Sequence, residues 1–317
     1  MIVRLGYACI PLDGGGQSGR TCRLAGATPD RLRELIAGNL DGLAATLRYN
    51  RGLDVRLFRI TGQLIPFASH PVNTLRWWEE FAAPLAAIGA YARAEGMRLS
   101  FHPGQYTALS SPRPEVVAAA GRDLAAAARV LEAMGLGQAH KIVVHGGGTY
   151  GDPPAAMARF AAVYRALPDR VARHVVLEND ERAYAAAAVL AVHERCGVPI
   201  VFDALHDAVN PGPAAGSGAP GRAARLAACL RTWREADGRP KTHFSSQDER
   251  KQRGAHAEYV DAASFSAFAA DTGAVAVDCM LEAKAKERAL LRLRADLAAR
   301  APLDGTAAGT PLPAGRA

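Results

Sequence analysis

A single-domain α/β protein of (β/α)8 barrel type is the fold this sequence predicts, on three observations. Eight short apolar, β-branched runs recur along the 317 residues. Ala-, Leu- and Arg-rich stretches of helical period separate them. Nearly every run ends in a side chain of metal-ligand type. Parallel strands buried on both faces and joined by right-handed helical crossovers leave such a pattern. Eight strand–helix units in about 300 residues match a barrel in number and length. A doubly wound open sheet is the alternative. The polar residues favour the barrel, which brings all strand ends to one point, whereas an open sheet spreads them along an edge.

The elements follow in order. Val3–Ile10 is the first strand. Arg4 interrupts its apolar stretch and no basic region precedes it, so the N-terminus reads as a strand and not as a signal peptide. Thr28-Pro29-Asp30 starts the first long helix. Strands are expected at Val55–Gly62, Leu99–Gly104, Lys141–Gly147, His174–Asp180, Pro199–Asp207, Lys241–Ser246 and Ala274–Lys284. Leu75–Gly96 and Glu115–Gly135 are expected helices that end in glycine, a common stop signal. Asn210–Gly221 is a Gly/Pro/Ala loop on the site side, read as a linker or a mobile flap. Residues 1–301 are expected to form the barrel and 302–317 a low-complexity, disordered tail.

Composition narrows the function classes. Hydrophobic residues make up 49% and charged residues 22%, which excludes a disordered or collagen-like chain. The five cysteines are scattered and odd in number, against a disulfide scaffold or zinc ribbon and in favour of a reducing compartment. No apolar run reaches membrane-spanning length. The net charge of +7 is compatible with a polyanionic partner or with genomic Arg enrichment.

The ligand-type residues are His102, His145, Glu178, Asp203 with His206, His243 and Glu282, with His256 just downstream. One histidine at a strand end is ordinarily a core or surface residue. Seven acidic or histidine groups at six strand ends need another account. Buried together without a cation, the carboxylates would each lose several kcal/mol. A divalent metal site with positions left for water and substrate explains them. His140, His174 and His193 fall away from these ends and read as structural.

Two further features follow from local geometry. Lys241 lies two residues before His243, so both face the same side of one strand. An ammonium beside dications is disfavoured, which lowers its pKa and exposes an amine open to carboxylation by carbon dioxide. Pro103-Gly104 turns the chain out of the barrel and projects Gln105 and Tyr106 at the mouth. Such a pair could wedge into a weakened base stack.

The stretches FHPGQYTALSSP, HGGGTYGD, LENDE, FDALH, KTHFSSQ, AHAEYVD and MLEAKAKERALL, with RLFRITGQLIPFASH before them, resemble the UV damage endonuclease family in order and spacing. The likeness runs over roughly residues 3 to 293, and FHPGQYT with MLEAKAKE is its most specific part. The resemblance implies a barrel related in architecture to endonuclease IV and a multi-metal site. It implies nicking of double-stranded DNA immediately 5′ of UV photoproducts and other distortions, by activated water, leaving a 3′-hydroxyl. Two or three manganese ions are implied, with zinc or cobalt as substitutes.

By the same resemblance, Glu178 bridges two metals, the first also held by His102 and His145. Asp203, His243 and Glu282 share the second, and His206 with His256 holds a third whose further ligand is left open. Asp207 stands where the family often has another histidine. Glu178, a carboxylated Lys241 and His70 form the expected catalytic set, with His70 as a phosphate or water contact. Tyr7, Gln105 and Tyr106 are the expected lesion contacts. Lys284 and Lys286 are phosphate contacts or solvated helix-start residues. A monomer in the cytoplasm, working on nucleoid DNA, is expected. An abasic-site endonuclease, a metal-dependent sugar isomerase and a damage-marking DNA-binding module are the rivals.

Overall fold

The structure is a computed structural model that describes residues 1–212 and 220–300. Eight parallel strands close into a barrel in sequence order, with the eighth pairing the first. They are β1 (Ile2–Ala8), β2 (Leu57–Arg59), β3 (Arg98–Phe101), β4 (Lys141–His145), β5 (Val175–Glu178), β6 (Ile200–Asp203), β7 (Lys241–Phe244) and β8 (Val277–Leu281). Each expected strand is present and shorter than expected, with β1 and β3 starting one residue earlier. The expected tail and most of the 210–221 loop lie outside the described residues.

Helices pack around the barrel, and most of the core fills the space between the two layers. Thr28 caps the helix Pro29–Gly52 by accepting from the Arg31 amide, as the start signal requires. The expected helix over Leu75–Gly96 is broken into Trp77–Glu80 and Ala82–Ala94. Pro84 is the cause: it has no amide hydrogen, and its ring conflicts with the carbonyl of Glu80, four residues earlier. The expected strand Pro199–Asp207 also stops early. Asp203 accepts from the His206 amide at 2.7 Å and caps a short helix, Ala204–Val209. His206 therefore projects from a first helical turn and not from the strand.

The strand register builds the lumen in layers. His145 lies opposite Glu178, and Asp203 opposite His243. Side chains alternate along a strand, so the residue two before each ligand shares its face. Those residues are Val143, Val176 and Val201, which form a buried cluster of their own with Trp233 against it. An apolar floor thus lies directly under His145, Glu178 and Asp203. The opposite end is closed by ion pairs, Lys141 to Asp237 at 2.6 Å and Arg98 to Asp278 at 3.0 Å. His140 and His174 serve that end: His140 Nδ1 accepts from the Leu99 amide at 3.0 Å, and His174 Nδ1 sits 2.7 Å from the His140 carbonyl.

Candidate metal centre

Glu178 is the middle of the site. It ends β5, is fully buried, and its two oxygens face different neighbours. Oε2 lies 3.0 Å from His102 Nε2 and 3.8 Å from His145 Nε2. Oε1 lies 2.6 Å from His243 Nδ1 and 3.9 Å from His206 Nδ1. The imidazole rings run around it as neighbours: His102 and His145 at 4.9 Å, His145 and His206 at 5.8 Å, His206 and His256 at 6.0 Å.

Among the described residues, two groups of side chains could each hold a metal ion, with ligand atoms within 4.8 Å of one another. One is His102, Glu178, His243 and Glu282; the other is Glu178, Asp203 and His206. Glu178 belongs to both. The sequence expectation joined His145 to His102 and placed His243 and Glu282 with Asp203; His145 lies 3.8 Å from Glu178 and outside both groups. Arg59 stands beside the first group. Its guanidinium hydrogen-bonds Glu282 and lies 3.2 Å from His243 Nε2, gathering those two on the β2 side.

The charges are strongly coupled to burial. Burial opposes ionisation of Glu178, but the surrounding imidazoles, His243 foremost, hold it well below the usual carboxylate range. Burial pushes Asp203 up to about 6 against the pull of His206, with Glu178 and Glu282 adding to the rise. For His206 burial acts downward, but the Asp203 and Glu178 charges lift it to about 9. Burial lowers His243 to about 4 and also lowers His102, with Arg59 adding to both effects. A cation would resolve these conflicts. Asp203 Oδ2 and His145 Nδ1 are buried with no hydrogen-bond partner among the described residues. Such unpartnered nitrogen and oxygen atoms, on residues packed around Glu178, are of the donor types that suit a divalent metal.

The chain matches the family model described as UV-endonuclease UvdE over residues 3–308. It is 34% identical over 277 residues to the UV DNA damage endonuclease of Bacillus velezensis, covering 85% of this chain and 83% of that protein. It is 31% identical over 286 residues to the UV DNA damage endonuclease of Clostridium perfringens, covering 90% and 68% respectively. The crystal structure of SacUVDE superposes with a TM-score of 0.85 at 29% identity, covering 93% of this chain and 98% of that one.

The chain belongs to the UV-endonuclease UvdE family.

With membership in a family of UV-damage endonucleases in place, the remaining residues can be placed. His256 joins neither metal group. Its Nδ1 lies 2.8 Å from the Glu282 carbonyl, which leaves Nε2 free beside His206. Gln105 and Tyr106 form the exposed tip of a turn closed by the Thr107 amide on the Gly104 carbonyl at 3.0 Å. Tyr106 is 83% exposed. His70 sits on an exposed loop after β2, where its Nδ1 accepts from the Val72 amide at 3.1 Å. Lys241 does face the lumen, one layer below His243, and its Nζ donates to Ser100 Oγ at 2.8 Å. Asp207 is turned away from the metal groups and held by Arg225 through two bonds of 2.7 and 2.6 Å.

Tyr7 requires a correction. It was expected against the lesion, but its ring is fully buried on Phe58 and its hydroxyl donates to Asn50. In this position it is a core side chain of β1 and has no surface at the mouth.

Two site residues escape a search for ligand types at strand ends. Arg59 ends β2 as Glu178 ends β5, so its signal was a charged residue at a strand end. Glu181 brings Oε2 to 3.8 Å from His206 Nε2, and only its place in LENDE hinted at that.

A proton test follows from these charges. Near neutral pH, His206 in the metal-free chain keeps its proton, because its pKa of about 9 lies above the solution pH. A ligating nitrogen must be unprotonated. Manganese uptake is expected to release protons and to weaken as the pH falls. Calorimetric titration with manganese in two buffers of different ionisation enthalpy reads the release. Identical heats in both would refute displacement of that proton.

Proposed function

We propose that this protein nicks double-stranded DNA immediately 5′ of UV photoproducts and other distortions, by attack of an activated water on phosphorus that leaves a 3′-hydroxyl. The observation that carries the reading is Glu178, which belongs to both metal-sized groups of side chains at the mouth of the barrel. His102 and His145 would hold one ion together with Glu178. Asp203, His243 and Glu282 would complete the second. His206 and His256 would hold a third, with Glu181 as its further ligand. Manganese is the ion expected, and zinc or cobalt suits the same imidazole and carboxylate donors. Bound there, divalent ions supply phosphate polarisation and a water of lowered pKa.

The chain's own residues do the remaining work. Arg59 counters the buried charge of Glu282 and Glu178. With Nδ1 accepting from Val72, His70 carries its proton on Nε2 and can donate it to a phosphate oxygen. Gln105 and Tyr106 stand clear of the metal groups and reach outward, where an amide and a ring can enter a weakened stack. No described helix is long and apolar enough to cross a membrane. A monomer acting on DNA in the cytoplasm completes the reading.

Lys241 fits a carboxylated form. Burial, then Arg59 and Arg98, push its pKa far below the usual lysine value, so the amine is held neutral. A neutral amine adds carbon dioxide and releases one proton, giving a carbamate anion that the two guanidiniums favour. Native mass spectrometry of protein prepared in bicarbonate near neutral pH is expected to show the adduct. An unmodified amine under those conditions excludes it.

Incision of a plasmid carrying defined photoproducts, with and without manganese, tests the activity. Glu178→Gln is expected to lower incision by more than the roughly 10–100-fold that an outer-shell change costs, while binding to damaged duplex is largely kept. Near-normal turnover at saturating manganese would remove Glu178 from the bridging role.

The double variant Gln105→Ala/Tyr106→Ala is expected to lose discrimination and not chemistry. Base stacking on a ring is worth about 1–3 kcal/mol, so preference for damaged over intact duplex should fall roughly tenfold to a hundredfold. Phosphate contacts are separate, so the salt dependence of binding should hold. Full discrimination in the double variant, or loss of its metal, would assign Tyr106 to rim packing.

A further inference from the structure

We propose that Tyr150 is a second nucleobase-stacking surface, set beside the Gln105–Tyr106 turn by the loop that follows β4. This deepens the DNA reading above and rests on it.

The first observation is the backbone. Thr149–Asp152 is a tight turn closed by the Asp152 amide on the Thr149 carbonyl at 3.0 Å. Its central residues, Tyr150 and Gly151, have φ of +53° and +80°. Two successive positive values define a type I′ turn, whose central positions favour Gly, Asn and Asp. A bulky aromatic residue in the left-handed region is strained, and such strain concentrates where a side chain has work to do. Packing does not explain the ring, because Tyr150 is 49% exposed.

The second observation is how the ring is held. A Cβ added to Gly148 would lie 3.1 Å from the Tyr150 ring, so the ring folds back closely over that backbone. Arg159 places its guanidinium 5.7 Å from the ring centroid. The same Arg159 donates from Nε to the Ser110 carbonyl at 2.8 Å. Ser110 in turn donates from Oγ to the Gly148 carbonyl at 3.0 Å. These bonds tie the loop after β4 to the loop after β3, which carries Gln105 and Tyr106.

The third observation is position. The two loops leave the barrel from His102 and His145, neighbouring rings 4.9 Å apart beside Glu178. Two exposed tyrosines therefore belong to adjacent loops that leave the barrel beside the metal groups. Tyr106 sits at a tip that can enter a base stack. Tyr150 lies folded onto its own loop with a cation beside it, the arrangement of a platform and not of a wedge. A flat ring so placed accepts the face of a base of any sequence. It makes no phosphate contact, so it adds affinity for an unstacked strand without adding salt dependence.

The test uses variants that spare the fold. Asn tolerates the left-handed region, so Tyr150→Asn keeps the turn and removes the ring. Tyr150→Phe keeps the ring. Binding of each to a duplex with one photoproduct is measured by fluorescence anisotropy at two salt concentrations, with manganese content and thermal unfolding alongside. Tyr150→Asn is expected to bind roughly tenfold more weakly, with the wild-type salt slope, metal content and unfolding temperature. Tyr150→Phe should bind as wild type does. Equal binding by Tyr150→Asn and wild type overturns the proposal, as does a reduced salt slope, which would make the contact a phosphate one. If the wild-type chain neither prefers nor cuts damaged duplex, the DNA reading itself falls and the proposal with it.

Discussion

The burial of several carboxylates at one level of a closed barrel governs the rest of the molecule. Glu178 and Asp203 are fully buried and Glu282 nearly so. Left unpaired, such groups would be costly enough to unfold the site. Imidazoles from four further elements and the guanidinium of Arg59 surround them. Closure of the sheet makes this possible, since only a barrel brings the ends of β2 to β8 within reach of one carboxylate. The valine floor from Val143, Val176 and Val201 keeps that layer dry from below, which strengthens each interaction above it.

The two ends of the barrel solve different problems. At the closed end, Lys141 with Asp237 and Arg98 with Asp278 pair inside the protein, and two histidines satisfy backbone groups. At the mouth, Asp203 Oδ2 and His145 Nδ1 are left without partners among the described residues. The first arrangement is paired within the protein, and the second leaves donor atoms that a cation would satisfy. The mouth is also where strain accumulates, in the turn carrying Tyr150.

Much of the site was legible because strand period and ligand chemistry reinforce each other. His102, His145, Glu178, Asp203, His243 and Glu282 all fall at or next to the end of an apolar run, and the structure gathers them. Lys241 was placed in the lumen by its spacing from His243, and it is there. The misses have physical causes. Pro84 broke a helix whose apolar period looked continuous. Asp203 stopped a strand by capping the turn that presents His206. Tyr7 could equally pack or project, and burial on Phe58 decided it. Arg59 and Glu181 went unassigned because their roles depend on what stands opposite them.

The sequence alone determined the fold class, the order of the strands and the ligand-type side chains that stand at the strand ends. Periodicity and turn chemistry are local, and the closed parallel sheet follows from them by handedness and length. Which ligands share which neighbours was decided only by the tertiary structure. Glu178 serves two groups because His102, His243 and Glu282, and separately Asp203 and His206, come within 4.8 Å of its carboxylate, with His102 and His243 at opposite oxygens. His145 stands outside both groups, and Arg59 draws His243 and Glu282 together. These are contacts between residues far apart in the chain, set by register, tilt and competing charges, and no local pattern encodes distances of a few ångströms across a lumen.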